Sequence, residues 1–142
     1  MKSVKHILQN KPSGIIAVNE TSSVYEALEV MMLNNISALV IMENDVLTGI
    51  FTERDYARKI ILQGRLSKET LIKDVMTENP ITVTPETTIS DCMNLITDKH
   101  IRHLPVTDKG VVIGMVSIGD VVKTIIQEQE QTIQQLESYI TS

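Results

Sequence analysis

The feature that most constrains this chain is an ungapped internal duplication: Val18 to Tyr56 can be laid on Val83 to Val121 at a constant offset of 65 residues. Under that shift Val24-Tyr25-Glu26-Ala27-Leu28 falls on Ile89-Ser90-Asp91-Cys92-Met93, and Ile36-Ser37-Ala38-Leu39-Val40 falls on Ile101-Arg102-His103-Leu104-Pro105. Gly49-Ile50-Phe51-Thr52-Glu53-Arg54-Asp55 likewise falls on Gly114-Met115-Val116-Ser117-Ile118-Gly119-Asp120. Few residues are identical between the copies; polarity and turn chemistry are what stay in register. Two copies are too few for a solenoid, which needs about three or more stacked units. The expected outcome is one pseudo-twofold domain with equivalent clefts at or beside the interface between its halves.

Each copy opens on a short β-prone run, Ile15-Ile16-Ala17-Val18 or Ile81-Thr82-Val83. In the second copy Thr84-Pro85-Glu86 offers an N-cap, a Pro at the first helical position and an acid in the first turn. Val24, Ala27, Leu28, Met31 and Met32 recur at helical spacing, as do Ile89, Cys92, Met93 and Ile96. Hairpins follow, Ile36 to Met42 with Val46 to Phe51, and Ile101 to Thr107 with Val111 to Val116, across turn-rich linkers. Pro105 cannot donate to a ladder, so its strand should be an edge or irregular there. Second helices are expected over Tyr56 to Gln63 and from Val121 onward. The order per copy is strand, helix, strand, strand, helix.

Ahead of each copy lies a further match at a different offset: Ile7-Leu8-Gln9-Asn10-Lys11-Pro12 on Val75-Met76-Thr77-Glu78-Asn79-Pro80. The change of offset implies an insertion of three residues, about Ser13-Gly14-Ile15, in the first copy. Gly64-Arg65-Leu66-Ser67 breaks the chain between the copies, with Ser67 placed to cap a short helix. The division expected is 1–65 for the first repeat, 66–128 for the second and 129–142 for an extension. In that last region Val122, Ile126, Gln129, Ile133, Leu136 and Ile140 fall at alternating steps of four and three, the seam of a long amphipathic helix. Such a helix packs either on its own domain or on a second copy of the chain.

With 142 residues the chain has the size of one domain. Its 3% aromatic content and absence of Trp call for an aliphatic, Met-rich core. A net charge of −5 with no basic run argues against nucleic-acid binding. The absence of any long apolar run argues against a membrane span, and one cysteine, Cys92, fits a reduced, cytoplasmic protein.

The strongest motif pair is Gly49-x-x-Thr52-x-x-Asp55 and Gly114-x-x-Ser117-x-x-Asp120, because it recurs at equivalent points of the duplication. A hydroxyl three residues before a carboxylate at a helix start can form a capping box. The same carboxylate can accept hydrogen bonds from a ribose diol, and the two roles are compatible. His100-x-x-His103 lacks the further ligands of a zinc site. No nucleophile, base and orienter occur together and no phosphate-binding glycine loop is present, so catalysis is not expected.

These motifs resemble the cystathionine-β-synthase (CBS) domain pair, or Bateman module. The resemblance rests on Val75 to Val83, on Ile101-Arg102-His103-Leu104-Pro105-Val106 and on the two Gly-x-x-Thr/Ser-x-x-Asp endings. Thr52-Glu53-Arg54-Asp55-Tyr56, Gly64-Arg65 and Asp74-Val75-Met76-Thr77 are similar to those of stand-alone CBS-pair proteins. It implies an α/β fold of two βαββα units, a homodimer, and an adenosine ligand such as AMP, ADP, ATP, NAD(H) or S-adenosylmethionine regulating a protein partner. Carried over by residue, Asp55 and Asp120 would hold ribose, with Thr52 and Ser117 at ribose or phosphate. Ala17, Val18, Thr82 and Val83 would line adenine, with Leu39, Val40, Leu104 and Pro105 as the opposite wall. His100, Arg102, His103 and Arg54 are the candidates for phosphate, although Arg102 and His103 also suit a solvated strand face. Since Ser37-Ala38 replaces Arg102-His103, the second copy is expected to suit a charged nucleotide better than the first. The alternative is a ligand-free dimerisation scaffold.

Overall fold

The duplication is realised hairpin for hairpin in the computed structural model, which describes residues 2–12 and 14–141. In chain order the elements are α1 (Val4–Gln9), β1 (Ala17–Val18), α2 (Val24–Leu33), β2 (Ala38–Glu43), β3 (Val46–Thr52) and α3 (Glu53–Asp55). The last continues as a π-helix over Tyr56–Ile61, and a 3₁₀ turn follows at Ile72–Asp74. Then come β4 (Thr77–Glu78), α4 (Ile89–Lys99), β5 (His103–Asp108), β6 (Val111–Ser117) and α5 (Ile118–Thr141). Ala38 opposes Thr52 in one hairpin and His103 opposes Ser117 in the other, and the ladders slip at matching points, after Ile41 and after Val106. Both hairpin turns use paired positive φ angles, at Asn44 and Asp45 and at Lys109 and Gly110, the backbone sense that matches strand twist.

One sheet runs β1-β2-β3-β4, with β1 parallel to β2; β5 and β6 form the other, and Val83 makes only a single parallel bridge to Val106. Pro105 accounts for the difference between the copies. Its counterpart Val40 donates its N–H to Ile16 O at 3.3 Å, a bond that proline cannot make. Copy two keeps the bonds from Val83 N to Pro105 O and from Thr107 N to Val83 O.

The lead-ins are exchanged between the halves. β4, which precedes copy two, pairs with β3 of copy one, while α1, which precedes copy one, packs on β6 and α5. Equivalent bridges, Ser23 to Leu71 and Ser3 to Thr88, fasten them. Two cores result. Val24, Ala27, Met31, Leu39, Ile41 and Phe51 are closed by Ile72, Val75 and Met76, whereas Ile89, Cys92, Ile96, Leu104, Val106 and Val116 are closed by Val4 and Ile7. Burial of Cys92, then the Asp91 charge, pushes its thiol up to about 11.

Several local expectations are corrected. α4 starts at Ile89 behind the cap Thr88, whose hydroxyl accepts from Asp91 N, and not at Thr84-Pro85. That segment is occupied in a turn, Thr87 N to Thr84 O, and its Pro85 O accepts from Lys5 N of the exchanged lead-in. Met32 is 76% exposed, and Val30 packs against the core in its place. The helix expected from Tyr56 begins at Glu53 and widens to π geometry, with Leu62 N reaching Ala57 O. Ser67 caps no helix; its carbonyl accepts from Tyr25 N. The insertion expected at Ser13-Gly14-Ile15 lies partly outside the described residues, since Ser13 is not among them.

The two motif glycines are where the exchanged lead-ins touch the hairpins. A Cβ on Gly49 would lie 2.5 Å from Met76 Sδ and 3.0 Å from Thr77 O, and one on Gly114 would lie 2.8 Å from Leu8 Cδ2. Leu8 can rotate away, but the Thr77 carbonyl is backbone. Gly49→Ala should therefore cost about 1–3 kcal/mol in urea unfolding, and Gly114→Ala clearly less. Equal losses would argue against this reading of the contact.

Candidate functional site

Both Gly-x-x-Thr/Ser-x-x-Asp endings close as capping boxes at the point where a hairpin feeds a helix. Asp55 Oδ2 accepts from Thr52 N at 3.0 Å and Thr52 Oγ1 accepts from Asp55 N at 3.1 Å. In the second ending Asp120 Oδ2 accepts from Ser117 N at 2.9 Å and Ser117 Oγ accepts from Asp120 N at 3.1 Å. Each carboxylate also meets a lysine, but the lysines are not equivalent. Lys59 Nζ stands 3.5 Å from Asp55 Oδ1, whereas Lys11 Nζ, from the lead-in, donates to Asp120 Oδ2 at 2.8 Å and to Met115 O at 2.9 Å. Burial works to raise the Asp120 pKa, yet the Lys11 and Ser117 hydrogen bonds outweigh it and hold the carboxyl below its ordinary range.

Each ending lies at a cleft whose other wall comes from the opposite copy: Thr52 and Asp55 both line theirs, whereas Ser117 lines the other and Asp120 does not, being linked to it through Lys11. The larger, about 470 Å³, runs from Ser117, Met115 and Lys11 across to Asn35, Ser37, Ala38 and Val40, with Gly14, Ile15 and Ile16 along one side. The smaller, about 270 Å³, is lined by Thr52, Arg54, Asp55 and Arg58 and, opposite them, by His100, Ile101, Arg102 and His103. Position by position His100 corresponds to Asn35, Arg102 to Ser37 and Arg54 to Gly119.

This crossing overturns the grouping expected from sequence. Arg102 does not stand with Ser117 and Asp120; it faces Thr52 and Asp55, because the hairpins of the two copies are set across the pseudo-twofold. The cationic cleft is thus the one closed by the first copy's motif. Arg54, Arg58 and Arg102 make no side-chain hydrogen bond or ion pair among the described residues. In the larger cleft the cation is Lys11, already engaged by Asp120.

The expected apolar walls also change. Leu39 and Leu104 are fully buried in the two cores, since strand alternation sends Ala38 and Val40, not Leu39, to the larger cleft. Val83 is core, Val18 packs against the first core, Pro105 is buried, and Ala17 and Thr82 are exposed; none of these lines either cleft. Ile15, Ile16, Lys11, Arg58 and Thr77 were not foreseen. The change of offset at the insertion was the signal for Gly14 and Ile15; nothing local marked Lys11.

His103 lines both clefts, and its Nε2 lies 3.1 Å from Ser37 Oγ across the interface between the copies. Burial lowers its pKa from 6.5, with Lys11 and Arg102 adding to the effect and Asp120 opposing it. His100 sits in the left-handed conformation at the end of α4, matching Asn35 at the end of α2. Among the described residues no group of three or more His, Cys, Asp or Glu is placed to hold a metal ion.

The sequence profile of the CBS domain matches residues 4–62 and again 72–127. The chain belongs to the CBS-domain family. The mitochondrial CBS domain-containing protein CBSX3 of Arabidopsis thaliana is 52% identical over 124 residues, covering 83% of this chain and 60% of that relative. The chain thus spans less than two thirds of that protein's length. YhcV of Bacillus subtilis is 30% identical over 120 residues, covering 84% and 83% respectively. A solved CBS-domain protein from Burkholderia ambifaria, described as a putative signal-transduction protein, superposes with a TM-score of 0.86 at 43% identity over 90% of this chain and 96% of its own. The same fold recurs at 21% and 24% identity, with TM-scores of 0.74 and 0.73, in PAE2072 of Pyrobaculum aerophilum and in CBSX2, both solved with AMP. They cover 83% and 91% of this chain, and 88% and 99% of their own. No helix among the described residues of this CBS pair is long and apolar enough to cross a membrane.

The His103 environment sets a pH dependence. Because the folded ring binds its proton less readily than an unfolded one, stability is fully present above the ordinary value of 6.5 and is lost as pH falls below it. The melting temperature should drop between about pH 7.5 and about pH 5, and His103→Gln should flatten that slope. An unchanged slope in the variant would assign the drop to other groups.

Proposed function

We propose that this CBS pair is a non-catalytic regulatory module that binds adenine nucleotides in its two clefts and changes its assembly or its grip on a protein partner when they fill. In this reading 1–65 and 66–128 are the paired units and 129–142 the extension through which assembly is read out. The observation that carries it is the pairing, twice over, of a hydroxyl–carboxylate cap with a loop from the other copy across a cleft. The cap and Lys11 both use Oδ2 of Asp120, which leaves Oδ1 to accept from a ribose hydroxyl. AMP in the two distant fold relatives supports the ligand class.

The clefts are unequal in the opposite sense to the one expected from sequence. Three arginines without carboxylate partners suit a polyphosphate in the Thr52/Asp55 cleft, since guanidinium binds phosphate in a bidentate manner. The Ser117/Asp120 cleft, apolar along Ile15 and Ile16 and with a single engaged lysine, suits a nucleoside with less charge. Filling either cleft shifts the assembly only as far as the ligand prefers one arrangement over another.

One observation favours the ligand-free scaffold instead: both aspartates already serve as caps, so their presence is explained without a ligand. Calorimetric titration of the full chain with AMP, ADP, ATP, NADH and S-adenosylmethionine separates the two. Binding of at least one is expected, and no heat from any of them at millimolar concentration leaves the scaffold. Arg102→Ala should weaken ATP about tenfold, close to the loss of one charge-assisted hydrogen bond, with little effect on AMP. Asp120→Ala should remove the other event.

A further inference from the structure

Most of the second half of α5 stands clear of its own domain, and only Gln129, Thr132 and Ile133 border an open groove against Ile89 and Ser90. Its first turns are anchored: Val121 and Thr124 are buried, Ile125 packs on the second core, and Glu128 Oε1 accepts from Lys2 N. From 129 to 141 every residue is exposed, although Ile133, Leu136 and Ile140 are apolar and 54%, 57% and 79% exposed. Together with Val122, Ile126 and Gln129 they form one continuous strip. At about 1.5 Å per residue, the 24 residues of α5 make a rod of ~36 Å.

We propose that this strip is the seam of a parallel, in-register two-stranded coiled coil between two copies of the chain. Ile126, Ile133 and Ile140 occupy the a positions and Val122, Gln129 and Leu136 the d positions; β-branched residues at every a position, a Leu at one d position and a single polar seam residue suit two strands. Gln129 decides the direction. In register it meets Gln129 of the second copy, and the two amides can hydrogen-bond to each other. An antiparallel pairing sets it against Ile133 of the second copy and leaves two amides without partners in an apolar seam.

Charge agrees with the parallel form. There Ile125 flanks Glu130 and Thr132 flanks Glu137 across the pair, so no like charges meet. The antiparallel form gains Lys123–Glu137 contacts but brings Glu130 onto its own copy, and exposed ion pairs contribute little beside unpaired seam amides. The seam is only roughly 2.7 heptads long. That suffices because the anchored turns of α5 have already nucleated the helix, the costly step for an isolated one. The proposal stands without any ligand.

The test uses the full chain without nucleotide. Sedimentation equilibrium should give twice the chain mass, and Ile133→Asp with Leu136→Asp should weaken the dimer at least tenfold while leaving the melting of the domain unchanged. Ile140→Cys should cross-link into a covalent dimer under mild oxidation, because the parallel form brings the two tips together; the buried Cys92 of the unaltered chain should not. A wild-type chain of single mass, or a double variant that dimerises as tightly as wild type, overturns the proposal. A dimer in which Ile140→Cys fails to cross-link overturns the parallel direction.

Discussion

The exchange of lead-in segments is the contact on which the rest of the molecule depends. Val4 and Ile72 are both fully buried, each in the core of the copy that its sequence neighbourhood does not belong to. Burying a side chain of this size contributes about 1.5–3 kcal/mol, so removing either lead-in opens a core rather than trimming a surface. Gly49 and Gly114 make the exchange sterically possible: Met76 and Leu8 lie where a Cβ would be. The glycine of each Gly-x-x-Thr/Ser-x-x-Asp ending therefore has a packing reason, and conformational freedom is not what it supplies at these two positions.

The same exchange builds the clefts. With the copies locked face to face, the end of each β-hairpin lies opposite the loop that opens the other copy's hairpin. Each cleft is bilateral, and a substitution in one copy is felt across the interface. Arg102 illustrates this, since its counterpart Ser37 leaves the larger cleft without a guanidinium while Arg102 itself faces the smaller one. Lys11 supplies some compensation, and it holds Asp120 ionised at the expense of its own freedom. The result is asymmetric charge on a symmetric frame: two clefts of equivalent position differ in the cations that line them.

Much of the fold was legible because it rests on local rules. The duplication, the hairpins, the α2 stripe and the capping boxes follow from periodicity and turn chemistry, and they hold to within a few residues. Cross-copy pairing was not legible. An offset gives correspondence between Arg102 and Ser37 but says nothing of which motif either one faces, which is a property of the docked halves. The cleft walls failed for a related reason: Leu39 and Leu104 match ligand-lining positions in name, yet the alternation of β2 and β5 turns them into the cores. Pro105 marks an irregularity in the sequence itself, and its missing N–H explains why copy two bridges at Val83 alone where copy one forms a strand.

α5 joins the parts of the molecule that the duplication does not explain. Its N-cap is the Ser117–Asp120 box, its first turns lie on the second core, and its exposed strip begins at Val122, in the second turn. A helix is stiff along its axis, so a small reorientation of the cap is carried to the tip and multiplied by the length of the rod. The base of that rod borders the larger cleft through Ser117, and Lys11, which lines the same cleft, holds the Asp120 side of the cap. The first copy has no such lever: its equivalent helix widens to π geometry and ends at Ile61, before the break at Gly64. Two clefts built on one plan therefore differ in charge and also in the length of the helix that leaves each of them.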